Sequence, residues 1–221
     1  MSSLRLTGRV VVVAVVLAAM LAGTAGGAVA THPTAAGKAL ARGTLLRRSD
    51  LGRGWKSTPA PMTVAGLTCP GFSPPLSGVV QTGSAISPTF EAGSTGPFAS
   101  QTAYEYASAS EEGTVWREVA RPHLLTCVAA SLVHSTGGGV HFKVHSKRLV
   151  ALPSLPVHAM GYRVVGTASV PNQTVNVYLD VVLLGGGTAV TELSFSSFLR
   201  PPERAFELRL ARIVAGRVAA G

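Results

Sequence analysis

Residues 173–198 read QTVNVYLDVVLLGGGTAVTELSFSSF, and this stretch decides the fold. Val175, Val177, Leu179, Val181 and Leu183 recur every second residue, the period that puts side chains on one face of a strand. A run of three glycines follows, then a second alternating segment. There Thr191, Leu193 and Phe195 share one face, and Glu192, Ser194 and Ser196 share the other. Two alternating runs joined by so short a connection must be antiparallel, because a parallel crossover needs a dozen or more residues. A turn centred on Gly186 would set Asp180 opposite Glu192, with Arg163 of the preceding strand on the same face.

Working outward, residues 140–152 and 160–170 read as two earlier strands, the second linked by the short Pro171-Asn172 connection. Further upstream, residues 84–91 and 100–107 form a strand pair around GSTGP. Ser108 and Glu111 make an S-x-x-E capping signature for a long helix carrying Val115, Trp116 and Val119. Pro122 should kink or divide that helix. Downstream, Pro201-Pro202 opens a last helix whose apolar stripe is Phe206, Leu210, Ile213 and Val214. The predicted fold is α+β: an antiparallel meander sheet with a long helix and a C-terminal helix packed on one side.

The N-terminus predicts export. Arg5 and Arg9 precede the apolar run Val10 to Leu21, and Ala28-Val29-Ala30 fits a small-x-small cleavage site. Residues 1–30 are therefore expected to be a signal peptide, 31–43 a flexible lead-in, and 44–221 a single domain. Thr44 is expected to cap a short helix ending near Gly52, with Trp55 anchoring the segment. No cysteine follows the apolar run, so the released chain carries no lipid-attachment site. If the segment stays uncleaved, it is just long enough to anchor the chain in a membrane. The chain has two cysteines, Cys69 and Cys127. An even count in an exported chain predicts one disulfide. Closing so large a loop stabilises by about 4 kcal/mol in the chain-entropy treatment.

Setting aside Arg5 and Arg9 lowers the formal charge from +9 to +7. Charged residues are only 13% of the chain, without the dense Lys/Arg blocks of a nucleic-acid arm. The basic balance fits a soluble domain with a basic surface, or attraction to anionic envelope polymers or lipid headgroups.

The segment from Gln173 to Val218 resembles the C-terminal part of small exported actinobacterial domains. These are grouped with the extracellular sensor domain of a mycobacterial Ser/Thr kinase. The shared pattern is a strand bearing an acidic residue (Asp180), a glycine turn (Gly185 to Gly187), a strand ending in small polar residues (Leu193 to Ser197), then a helix with Leu210-Ala211 and Arg217. The upstream LLRRSDLGRGW and a cysteine on the long helix, Cys127, are similar too. The resemblance implies an extracytoplasmic domain with a ligand cleft and brings no catalytic residues.

Candidate chemistry is sparse. Asp180 and Glu192 with Arg163 could run acid/base chemistry, or form a charge network on the sheet face. Tyr104, Tyr106 and Trp116 could line a ligand pocket between sheet and long helix, or simply fill the core. His141, Lys143 and His145 share a strand face, with the histidines too far apart for one metal and a lysine between them. No G-x-S-x-G or phosphate-binding loop occurs. The reading is a secreted, non-enzymatic domain with no cofactor. It binds a small molecule, lipid or envelope polymer, not nucleic acid, and meets the membrane only if the N-terminal segment is kept. The alternatives are a single-span anchored envelope protein and a secreted hydrolase. Oligomeric state is not specified by these motifs.

Overall fold

The computed structural model describes residues 29–59, 74–134, 141–170 and 173–221. Nine strands form one sheet: β1 (Ala30–Thr31), β2 (Lys56–Thr58), β3 (Val80–Ile86), β4 (Thr89–Glu91), β5 (Phe98–Tyr106), β6 (His141–Val150), β7 (His158–Val170), β8 (Gln173–Gly186) and β9 (Ala189–Phe198). The helices are α1 (Ala35–Thr44), α2 (Arg48–Leu51), α3 (Ala109–Val119), α4 (Pro122–His134) and α5 (Arg204–Ala220). The class is α+β. The main strand order is β1-β3-β5-β9-β8-β7-β6, with β2 and β4 beside β5. β6, β7 and β8 each pair antiparallel with the next strand in sequence. The sheet as a whole is mixed rather than a pure meander, because β1 runs parallel to β3.

The expected placement of both helices on one side is corrected. Val177, Leu179, Val181 and Leu183 of β8 pack with Val115, Val119, Leu124 and Val128 of α3 and α4. Val182 and Leu184 pack instead with Leu210, Val214 and Val218 of α5. The helices therefore cover opposite faces. The physical reason lies in the run Val181 to Leu184, apolar on successive residues: a strand segment buried on both faces needs a cover on each.

The lead-in expected to be flexible is also corrected. Residues 30–31 pair with β3, and α1 is capped by Thr34, whose Oγ1 accepts from Gly37 N at 2.9 Å. The helix lies directly on β3. A Cβ on Gly37 would stand 2.5 Å from the Thr82 carbonyl oxygen, and one on Gly83 would run into the Gly37 backbone. Two glycines facing each other permit this contact. Thr44 ends α1 instead of opening a helix, and only one turn, α2, follows. The expected cleavage boundary at Ala30 falls within β1.

Pro122 divides the long helix as expected, standing at the first position of α4. Ser108 Oγ accepts from Glu111 N at 3.2 Å at the start of α3. The break is tied to the sheet by Tyr162, whose hydroxyl donates to Arg121 O at 3.1 Å.

Candidate functional site

A cleft of about 580 Å³ lies on the α5 face at the end of β9. That is within the range of small-ligand sites. Its floor is the chain that leaves β9. Phe198 N donates to Thr95 O at 2.9 Å, and Leu199 N donates to Asn176 O at 3.2 Å. The Ser197 hydroxyl donates to Arg200 O. These bonds hold Leu199 at φ 76° and leave its side chain 61% exposed. A leucine in the left-handed region costs on the order of 1–3 kcal/mol, a strain that concentrates at functional sites. Pro201 and Pro202 then turn the chain into α5.

Aromatic rings form one wall. Trp55 stacks on Phe206 with centroids 5.0 Å apart and planes at 12°. Phe206 meets Phe195 edge-on at 6.1 Å, and the Arg209 guanidinium lies 5.6 Å above the Phe206 ring. The turn from Ala92 to Pro97 makes the opposite wall, and Arg200 and Glu203 supply charge at the rim. The expectation that Trp55 anchors its segment holds, since its ring rests on α5. A second, more open cleft of about 570 Å³ is formed by residues 149–161.

The structure brings Arg163 and Asp180 together and keeps Glu192 away. Arg163 holds Asp180 through two hydrogen bonds, Nε–Oδ1 at 2.6 Å and Nη2–Oδ2 at 2.5 Å. The hydrogen bond to Asp180 raises the already high Arg163 pKa. The hairpin turns later than expected, through Gly187 at φ 59° and Thr188, so the register shifts by three residues and Asp180 pairs with Phe195 and Glu192 with Leu183. The register differs by an odd number of residues, which puts Glu192 on the other face. Asp180 faces α5 and Glu192 faces α3. The two carboxylates cannot meet one substrate.

Two members of the network around Asp180 escaped the sequence reading. Glu207 of α5 is fully buried, with Oε1 3.6 Å from Arg163 Nη2. Arg204 donates to Glu207 Oε2 at 2.8 Å and to Ala151 O at 2.6 Å. Burial, reinforced by Asp180, pushes the Glu207 carboxyl up to about 8. Glu207 Oε1 has no hydrogen-bond partner among the described residues, and Asp180 nearby further disfavours its ionisation. This chain of charges ties β7, β8 and α5 together. Its signal in the sequence was a glutamate amid the apolar stripe of the last helix.

Tyr104, Tyr106 and Trp116 do gather on one face, beneath α3, but they fill it. The tyrosines are buried, and Trp116 covers Gly185 and stacks on His158 at 5.5 Å. A Cβ on Gly185 would sit 2.5 Å from Glu112 Oε1 and 2.6 Å from the Trp116 ring, so the glycine makes room for both. Burial raises Glu112 to about 7 and Glu192 to about 8. It also raises the Tyr106 hydroxyl, with help from Tyr104 and the acids nearby. Cys127 is buried on α4. Its expected partner, Cys69, lies outside the described residues. Among the described residues no group of three metal-ligating side chains converges, and no helix is long and apolar enough to cross a membrane.

No protein-family model matches the chain, and no curated protein matches it.

Proposed function

We propose that this chain is an extracytoplasmic, non-enzymatic binding domain, and that its ligand is a cell-envelope component seated in the cleft at the end of β9. The observation that carries the reading is Leu199. A large apolar side chain is held in a strained conformation and left exposed, beside the Trp55–Phe206 stack and Arg200. A core residue would be neither strained nor exposed, whereas a contact residue is served by both. The resemblance to exported sensor-like domains and the export signal of residues 1–30 support the compartment. A Cys69–Cys127 bridge, which the sequence predicts, would fit the same compartment. The separation of Asp180 from Glu192 weighs against hydrolysis.

Trp55 reports on the cleft. The sequence has two tryptophans, so Trp116→Phe leaves Trp55 as the sole tryptophan. Titration with fractionated cell-envelope extract should change Trp55 emission saturably, and Leu199→Gly with Arg200→Ala should abolish the change. If no fraction perturbs Trp55, while one is chemically cleaved by the protein, the binding reading fails.

A further inference from the structure

Between Glu118 and Asp180 the chain has no acidic residue. The fold collects much of this basic segment on β6, the terminal strand of the sheet order, whose residues include His141, Lys143, His145, Lys147 and Arg148. Among the described residues, His141, Lys143 and Arg148 form no ion pair. Their neighbour across the strand, Arg163, is already paired with Asp180.

The strand register connects this edge to the cleft. Asn176 pairs with Thr167, and Thr167 with Lys143. Tyr178 pairs with Ser197 of the cleft on one side and Val165 on the other. Leu199 of the cleft bonds Asn176 directly. These rows lie on the α5 face beyond the end of α5. Lys143, Thr174 and Asn176 are exposed, and Thr167, Ser169 and Tyr178 are half-buried. From β9 to β6 the rows span three strand spacings, about 14 Å.

We propose that the ligand of the cleft is a linear anionic polysaccharide, which runs from the Trp55–Phe206 wall across the bare rows of β8 and β7 to the cations of β6. The inference rests on the cleft reading above. Hydroxyl and amide side chains in flat rows suit a hydroxyl-rich ribbon, and an aromatic ring beside them suits a sugar face. Uncompensated cations at the far end supply the charge complementarity. Single-stranded nucleic acid would need successive aromatic platforms, and these rows offer only Tyr178. An acidic peptide added to β6 as a further strand would meet the bulge between Val144 and Ser146, which interrupts the edge.

Calorimetric titration of the native chain at low salt tests this, with oligogalacturonate and dextran sulfate as anionic glycans. Neutral dextran, inorganic polyphosphate and polyglutamate are the comparisons. Both anionic glycans should bind at least tenfold tighter than every comparison. Lys143→Ala with Arg148→Ala should weaken them at least tenfold, and Trp55→Ala should do so as well. Equal binding of polyphosphate or polyglutamate would overturn the glycan assignment. Weakening by Trp55→Ala alone would overturn the path across the sheet and leave the cleft reading standing. Weakening by the β6 pair alone would instead remove the cleft from the site. No binding of either anionic glycan overturns the proposal, and the Trp55 emission titration then decides the cleft separately.

Discussion

Asp180 and Glu192, carried by the two strands of one hairpin, stand on opposite faces of the sheet. Their environments differ accordingly. Asp180 is ion-paired to Arg163, while burial drives Glu192 up to about 8. Asp180→Asn should destabilise by about 3 kcal/mol, because it leaves Arg163 with its charge uncompensated. Glu192→Gln should cost little at neutral pH, since an amide replaces a carboxyl that is already largely protonated. With no shared partner, the two changes should add. Denaturant unfolding of the two single variants and the double variant checks this.

Four buried glutamates, Glu105 among them, give stability an unusual pH dependence. Glu112 is raised to about 7, and Glu192 and Glu207 to about 8, each chiefly by burial. In the unfolded chain these groups ionise near 4.5. Between about 4.5 and 8 the folded state therefore binds more protons, and stability falls as pH rises. Each pH unit of difference is about 1.4 kcal/mol per group. The melting temperature should be higher at pH 5 than at pH 8. Glu192→Gln should raise it at pH 8 and flatten the slope, which scanning calorimetry across this range would show.

Arg217 of α5 closes a two-pronged ion pair on Asp50 of α2, at 2.7 and 2.8 Å, and also donates to Leu45 O at 2.8 Å. Burial works against ionisation of Asp50, but the bonds from Arg217 and the Arg47 backbone outweigh it and lower its pKa. A lowered carboxyl contributes stability above its unfolded value, near 3.8, which is lost as pH falls through the folded value. Arg217→Ala should cost about 1–2 kcal/mol at neutral pH. The loss should shrink below pH 4 in acid titrations of unfolding.

The α1–β3 contact predicts opposite outcomes for two glycines of one helix. Gly37→Ala drives a methyl into the Thr82 carbonyl and should destabilise by about 1–3 kcal/mol. Gly43 is exposed in α1 with nothing within 4 Å of a Cβ, so Gly43→Ala should stabilise by about 0.5–1 kcal/mol. Thermal unfolding of the pair separates close packing from helix propensity.

If Cys69 and Cys127 are bridged as the sequence predicts, a digest of native protein should yield a single linked peptide pair, separable by reduction. Cys127→Ser should destabilise by about 2–5 kcal/mol. Equal stability with and without reductant would contradict the bridge.

Strand and helix positions from β6 onward were legible because period-two alternation and the proline signals are local. Three features were not. The hairpin register turned on Gly187 and Thr188, and a run of three glycines offers several turn positions of similar cost. The side on which α5 packs was written in Val181 to Leu184, but reading only the alternate residues of β8 hides the second buried face. α1 escaped because Ala- and Gly-rich segments look loose until a partner is known, and its partner is a glycine, Gly83, far along the chain. The cleft is assembled from Trp55, the turn from Ala92 to Pro97, and Leu199 to Phe206. No short motif connects these pieces; the exposed hydrophobic Leu199 ahead of two prolines was its one local sign.

The central claim is that the ligand sits at the end of β9 and not beneath α3. It is tested most directly by a chemical-shift map of the isotope-labelled chain titrated with envelope polysaccharide from the producing cells. The account predicts saturable shifts at the Trp55 indole, Leu199, Arg200 and Phe206, spreading to Asn176 and Tyr178. Shifts confined to Tyr104, Tyr106 and Trp116 would contradict it and move the site to the opposite face of the sheet.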